Sequence, residues 1–121
     1  MQLVDHAAQL PGYAAWAAAV WERAIGRGGL FYPSPTDGLL HLILHAACDH
    51  RFNNGPLLLL DMEFLLSQPI DWPLFWATAT QLGQARAAAL CLAVLARQGC
   101  AAPAVAVPGQ VVDAAAALML A

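Results

Sequence analysis

The chain has 121 residues, enough for one domain with a core of its own. It is 60% apolar, and 8 acidic residues outnumber 5 arginines with no lysine, which gives a net charge of −3. Nucleic-acid binding needs clustered cations, and the one close basic pair, Arg23 and Arg27, is better explained as a solvated helix end, so we exclude a nucleic-acid module. The N-terminal residues lack the pattern of a signal peptide, and no apolar run is long enough for a membrane span. With three cysteines in no zinc-type spacing, these features predict a reduced, cytoplasmic protein.

The chain divides into a short N-terminal segment and a helical domain. Residues 1–11 are interpreted as a remnant or linker in which residues 2–5 can end a strand, and residues 12–121 as the domain. Apolar residues at helical spacing predict the first helix over residues 13–25. Glycines then end this helix, and residues 30–32 are predicted to be briefly extended.

The second helix is predicted over residues 35–49. Ser34 can cap it, Pro35 suits its first position, and Asp37 follows the cap by three residues. This helix is apolar nearly all round, which is typical of a central, buried helix. Four more helices are predicted at residues 56–66, 72–82 with Asp71 as the N-cap, 84–98 and 111–121, with a linker at residues 100–109. The predicted fold class is therefore all-α, a bundle-like domain of five to six helices. Because its last helix ends on apolar residues without a cap, we expect the chain to be a fragment of a longer protein.

One group of polar residues could support chemistry. His41, His45 and Asp49 are spaced i, i+4 and i+8, so they share one face of the second helix, and Asp61 follows on the neighbouring helix. Imidazoles one turn apart with a carboxylate can bind zinc, iron or manganese, and the histidines can also act as general bases. The same groups can instead satisfy one another within a helical core, and we favour that interpretation, since a histidine pair without further motif is a weak metal signal.

No nucleophile pattern accompanies the histidines. Cys48 lies beside His45 and His50 in the sequence, but this adjacency alone does not indicate catalysis. Cys91 lies in an Ala/Leu run and is predicted to be a small core residue. We predict that the large aromatic residues have core or interface roles: Trp16, Trp21, Trp72, Phe75 and Trp76.

Three stretches carry a family resemblance. They are SPTDGLLHLILHAA at residues 34–47, GPLLLLDMEFLL at residues 55–66 and PIDWPLF at residues 69–75. In this order, they resemble the helical region of the uncharacterised nucleotidyltransferase family, a branch of the polymerase-beta-like superfamily. The resemblance covers about residues 3–120.

The resemblance implies a two-part protein, with a mixed α/β catalytic domain before the helical region. Catalysis in such a family implies Mg²⁺ and a nucleoside triphosphate, held by a Gly-Ser motif and a DxD strand, and this sequence has neither motif. Mg²⁺ and nucleotide are therefore expected only with the missing catalytic domain, and no cofactor is expected in this chain. The resemblance places Asp5 near the end of the catalytic sheet as a candidate further carboxylate, and it assigns no catalytic role to the helix of His41 and His45.

Three functions remain open at this point. The preferred one is a helical accessory or substrate-side domain of a bacterial nucleotidyltransferase, inactive alone, whose apolar helix faces contact the missing catalytic domain or a second copy. The second is a small metalloprotein that uses the face of His41, His45 and Asp49. The third is a helical protein-interaction module.

Overall fold

The computed structural model describes residues 7–49, 56–100 and 108–119. Within these ranges the chain is mostly helical, with one small two-stranded sheet, so the all-α prediction is confirmed. The elements are α1 (Tyr13–Arg23), β1 (Ile25–Arg27), β2 (Leu30–Tyr32), α2 (Pro35–Leu44), α3 (Pro56–Leu66), α4 (Trp72–Gln81), α5 (Ala85–Arg97) and α6 (Gly109–Met119). A 3₁₀ turn, Ala7–Gln9, precedes α1, and a π-helical segment, His45–Asp49, continues α2.

The prediction that the first helix reaches residue 25 is wrong. α1 ends at Arg23, and Ile25 pairs instead with Tyr32 in an antiparallel hairpin. The turn of this hairpin places Gly28 and Gly29 at φ 61° and 80°. A two-residue turn with both φ values positive matches the right-handed twist of the strands, and glycine adopts it without steric cost. The brief extended piece predicted at residues 30–32 is confirmed as β2.

The second helix is central, as predicted. The Ser34 hydroxyl caps it by accepting from the backbone N–H of Asp37 at 3.2 Å. Four of its five leucine and isoleucine side chains are fully buried, Leu42 is partly buried, and the helix packs against α3, α4 and α5. The buried core residues that it contributes are Leu39, Leu40, Ile43 and Leu44. The predicted span of residues 35–49 is continuous, but its last turn widens from α to π geometry.

α3, α4 and α5 pack around α2, and α6 packs against α5. The bounds of these four helices agree with prediction to within two residues. The Asp71 carboxylate caps α4 by accepting from the N–H of Leu74 at 3.1 Å. The backbone N–H of Asp71 donates to the buried hydroxyl of Thr36 at 2.9 Å, which ties the start of α4 to the start of α2. On the surface, Arg97 of α5 forms an ion pair with Asp113 of α6.

Some predictions lie outside the described residues. They concern the strand end at residues 2–5 with Asp5, the position of His50, and most of the linker at residues 100–109. Among the helices of the three described ranges, none combines the length and apolar content needed to traverse a bilayer.

Candidate functional site

An open groove lies between α1, the β-hairpin and the start of α2. Its volume is about 310 Å³ and most of its wall is aromatic or aliphatic. Three separate elements build it, so it exists only in the folded chain. The residues that line it are Tyr13, Trp16, Ala17, Val20, Trp21, Ala24, Phe31, Tyr32, Pro33, Asp37 and His41. We refer to this site as the aromatic groove.

The rings of the aromatic groove differ in how tightly they are held. Trp16 is buried and meets Tyr13 edge to face, with ring centroids 5.5 Å apart and planes at 72°. Trp21 and Phe31, in contrast, are 74% and 69% exposed. The buried Trp16 ring forms the inner wall of the groove, and the exposed rings lie at its edge.

Asp37 is the acidic residue in the wall of the groove, and it is only 2% exposed. Arg23 donates two hydrogen bonds to it, one from Nε and one from a terminal nitrogen, each 2.8 Å long. The Ser34 hydroxyl donates a third at 2.9 Å, and the Trp16 indole a fourth at 3.3 Å. A bidentate arginine is the strong geometry for a carboxylate, so this charge is compensated inside the protein.

These contacts set the protonation of Asp37. Burial alone would raise the pKa of its carboxyl, but the hydrogen bonds from Arg23 and Ser34 outweigh burial, and the pKa is lowered. The interpretation of Arg23 and Arg27 as a solvated helix end is therefore wrong for Arg23, whose side chain is 33% exposed and paired. Arg27 is not on that helix at all, since it lies in β1.

The hairpin places Phe31 at the groove through a glycine on the opposite strand. Gly26 pairs with Phe31 across the sheet. A Cβ built at Gly26 would lie 3.2 Å from the edge of the Phe31 ring, which is closer than such contacts normally are. The absence of a side chain at Gly26 thus lets the Phe31 ring lie over the backbone of β1, as aromatic rings do over strand glycines.

The paired histidines lie one turn apart, as predicted. His41 is exposed and lines the aromatic groove, whereas His45 begins the π-helical segment. Their rings are nearly parallel, with centroids 6.3 Å apart and planes at 13°. π segments within helices are frequent at functional sites, so the face of His41 and His45 is a candidate site.

The metal site predicted at His41, His45, Asp49 and Asp61 remains a prediction. His41 and His45 share a face, Asp61 is exposed on α3, and the side chain of Asp49 lies outside the described residues. No cluster of three or more His, Cys, Asp or Glu side chains suited to a metal occurs in the part of the chain that the structure describes.

Four of the described carboxylates do not form the tight acidic pair that a magnesium–triphosphate complex needs. Asp37 is held by Arg23, and Asp113 is paired with Arg97. Asp61 and Glu63 are two positions apart on α3, so their side chains leave the helix about 160° apart, on nearly opposite sides. We therefore derive no reaction step through Mg²⁺ from these residues.

Two of the three cysteines have thiols whose pKa is raised. Burial raises the pKa of the Cys91 thiol to about 12, which confirms its prediction as a core residue. Burial and, next, the charge of Glu63 raise the pKa of Cys100. The Cys48 thiol donates to the Gln84 side-chain oxygen at 3.8 Å, which links the π-helical segment to the start of α5.

His41 is the one residue of the aromatic groove that is also a predicted site residue. The sequence predicts Asp37 only as part of a helix start, because no local pattern pairs it with Arg23, 14 positions earlier. A signal for the hairpin was present, however. A Gly-Gly pair between Ile25 and the run Leu30–Tyr32 is a typical two-residue hairpin pattern.

The fold and the groove define a small helical domain with an open, ring-lined cavity. A sequence model of the uncharacterised nucleotidyltransferase family matches residues 3–98, and the chain therefore belongs to that family. The match includes the groove and the helices from α1 to α5, and α6 lies beyond it. No curated protein and no solved structure matched the chain.

Proposed function

We propose that this chain is the helical, substrate-side domain of a nucleotidyltransferase, and that the aromatic groove is the surface it presents to the substrate. The observation that carries the proposal is the groove itself, an open cavity of about 310 Å³ whose buried carboxylate is already compensated by Arg23. Such a cavity suits binding and orientation of a molecule better than metal chemistry.

In this proposal, the metal-dependent step belongs to another segment. The sequence contains no Gly-Ser and no DxD motif, and these motifs would hold Mg²⁺ and the nucleoside triphosphate. The catalytic domain supplies them, and the helical domain supplies the wall against which the substrate lies. Asp5, in a segment outside the described residues, is the one position that we propose could join that catalytic centre.

The apolar surface around the groove supports a covered position in the assembled protein. The hairpin and the end of α1 expose several large apolar side chains at one place, which monomeric proteins rarely do without a partner. We propose that the catalytic domain, or a second copy of the chain, covers them in the cytoplasm. They are Trp21, Ile25, Leu30, Phe31 and Tyr32.

A calorimetric titration tests whether this chain binds a complex of Mg²⁺ and a nucleoside triphosphate. ATP, CTP, GTP and UTP would each be added to the 121-residue protein, once with Mg²⁺ and once with EDTA. The proposal predicts no Mg²⁺-dependent heat of binding, since the acidic pair is missing. Binding that requires Mg²⁺ and is lost in Asp61→Asn or Asp5→Asn would overturn it.

A metal site at His41, His45, Asp49 and Asp61 is the second candidate function. The parallel stacking of the two histidine rings, at 6.3 Å, is the observation in its favour, because it places both imidazoles on one face. Elemental analysis of the purified protein decides this candidate. Zinc, iron or manganese below about a tenth of an equivalent would end it, and a full equivalent lost in His41→Ala would establish it.

A further inference from the structure

The β-hairpin has an open edge along β1. In the described part of the chain the sheet has two strands, so each strand is paired on one side. Arg27 and Leu30 flank the two-residue turn and lie opposite each other. In such a hairpin the pair beside the turn exchanges both hydrogen bonds, and the next pair exchanges none. The N–H and C=O of Gly26 therefore point away from β2, and Gly26 is exposed.

The edge of β2 is less suited to a further strand. Pro33 follows its last residue, and a proline has no N–H to donate. Proline is one of the features that block the edge of a sheet. β1 contains no proline, and Gly26 at its middle has no side chain. A further strand is therefore expected to pair along β1.

Two opposite charges lie at the two ends of β1. Arg27 is its last residue, and Glu22 lies in the last turn of α1, just before the strand. Both residues are exposed, and within the described part of the chain neither forms an ion pair. Arg23, the neighbour of Glu22, is already paired with Asp37. The edge thus carries one uncompensated acid and one uncompensated base of its own.

An antiparallel pairing of β1 with the β1 of a second copy matches these charges. Around a two-fold axis at Gly26, the two Gly26 residues exchange N–H···O=C bonds, and Ile25 of each copy lies opposite Arg27 of the other. Because the two strands run in opposite directions, the Arg27 end of one lies at the Glu22 end of the other. The two-fold axis makes this contact twice, so the charge pattern is complementary to itself, as an isologous interface requires.

We propose that two copies of this chain pair through β1 into one four-stranded antiparallel sheet, with Arg27 of each copy beside Glu22 of the other. The backbone hydrogen bonds and the side chain of Ile25, 49% exposed in the single chain, supply the affinity. The charges determine the register and the choice of partner, because exposed ion pairs add little free energy.

The paired edge is separate from the surface proposed for the substrate. Residues 25–27 are not among those that line the aromatic groove. The inference rests on the proposed function in one respect, since it selects the second copy as the partner at the hairpin.

Light scattering of the 121-residue chain over a range of concentrations tests the pairing. We expect a dimer that dissociates on dilution. Arg27→Glu and Glu22→Arg should each raise the dimer dissociation constant about tenfold or more, because both contacts change from attraction to repulsion. An equal mixture of the two variants should dimerise again, since opposite charges then meet at both contacts. Arg86→Glu, the same change at an exposed position on α5, is the control and should have no effect.

Hydrogen exchange identifies the strand that pairs. The Gly26 amide should be protected at concentrations where the dimer forms, and it should exchange rapidly after dilution. The Phe31 amide is the internal control, because it points outwards from the edge of β2 and should exchange rapidly at both concentrations.

Four results would overturn the inference: a monomer at the highest concentration that stays in solution, no recovery of the dimer in the mixture, an equal loss for Arg86→Glu, or protection of Phe31 in place of Gly26. None of them bears on whether the metal chemistry lies elsewhere. Conversely, Mg²⁺-dependent nucleotide binding by this chain would overturn the proposed function and leave the dimer intact.

Discussion

Asp37 links the start of α2 to the end of α1 and to the wall of the groove. Its carboxylate receives hydrogen bonds from Arg23, Ser34 and Trp16, and all of these come from other positions on the two helices and the loop between them. A buried carboxylate that loses its partners, or an arginine that loses its carboxylate, leaves a poorly solvated polar group. The pair therefore contributes to fixing the angle at which α1 meets α2.

Replacement of the Asp37 carboxylate should destabilise the folded chain. We predict that Asp37→Asn lowers the free energy of unfolding by about 2–4 kcal/mol, somewhat below the usual cost of breaking a buried pair because Arg23 can reach water. Asp113→Asn, which breaks the exposed ion pair with Arg97, should cost less than about 1 kcal/mol. Urea denaturation measures both, and equal losses would contradict the assigned importance of Asp37.

The lowered pKa of Asp37 also predicts a pH dependence. A carboxyl whose pKa is lower in the folded state contributes stability above its unfolded value, here 3.8, and loses it as the pH falls through the folded value. The free energy of unfolding should therefore fall more steeply below pH 3.8 in the native chain than in Asp37→Asn. Parallel acid profiles for the two proteins would refute this assignment.

The β-hairpin is the element that determines the outer edge of the groove. A two-stranded hairpin alone is at best marginally stable in water, and this one exposes both strands. Its turn, with Gly28 and Gly29 at positive φ, is what holds Phe31 opposite Gly26. The geometry of the groove therefore depends on Gly28 and Gly29, although neither glycine lines it.

Substitutions at Gly28 should change the stability of the hairpin without changing that of the core. Gly28→Val forces a β-branched residue into the left-handed region and should destabilise the turn by about 1–2 kcal/mol. Gly28→Asn, which creates the preferred Asn-Gly turn, is the control and should leave the hairpin intact. Hydrogen exchange at the Leu30 amide, which follows the turn, should accelerate in Gly28→Val only, and core amides of α5 should not change. Acceleration in both variants would argue against this turn geometry.

At the level of the elements, the sequence predicts the start of a helix correctly where a capping residue precedes it. Ser34 and Asp71 were identified as caps from sequence, and both accept the expected backbone hydrogen bond. The end of α1 was predicted wrongly because Ile25 continues its apolar spacing, and only pairing with Tyr32 draws it into a strand. Likewise, the groove depends on Arg23 meeting Asp37, a tertiary contact that no local pattern contains.

At the level of the whole molecule, the core lies around α2, and large exposed apolar side chains occur at the hairpin and the end of α1 as well as on α3 and α6. α2 lies at the centre, surrounded by α3, α4 and α5, while the hairpin and the end of α1 expose their apolar side chains next to the groove. Burial of that surface would be favourable, at about 25 cal/mol per Å² of apolar area. This exposed surface is where we propose that a partner docks.

We propose that the chain contributes a binding surface to nucleotide transfer and that the metal chemistry belongs to another segment. Release of pyrophosphate by the 121-residue protein, with Mg²⁺ and each of the four nucleoside triphosphates, measures this most directly. We expect no release above that of a protein-free blank, because this chain lacks the motifs that hold Mg²⁺ and nucleotide. Sustained Mg²⁺-dependent release that disappears in Asp61→Asn or Asp5→Asn would contradict it.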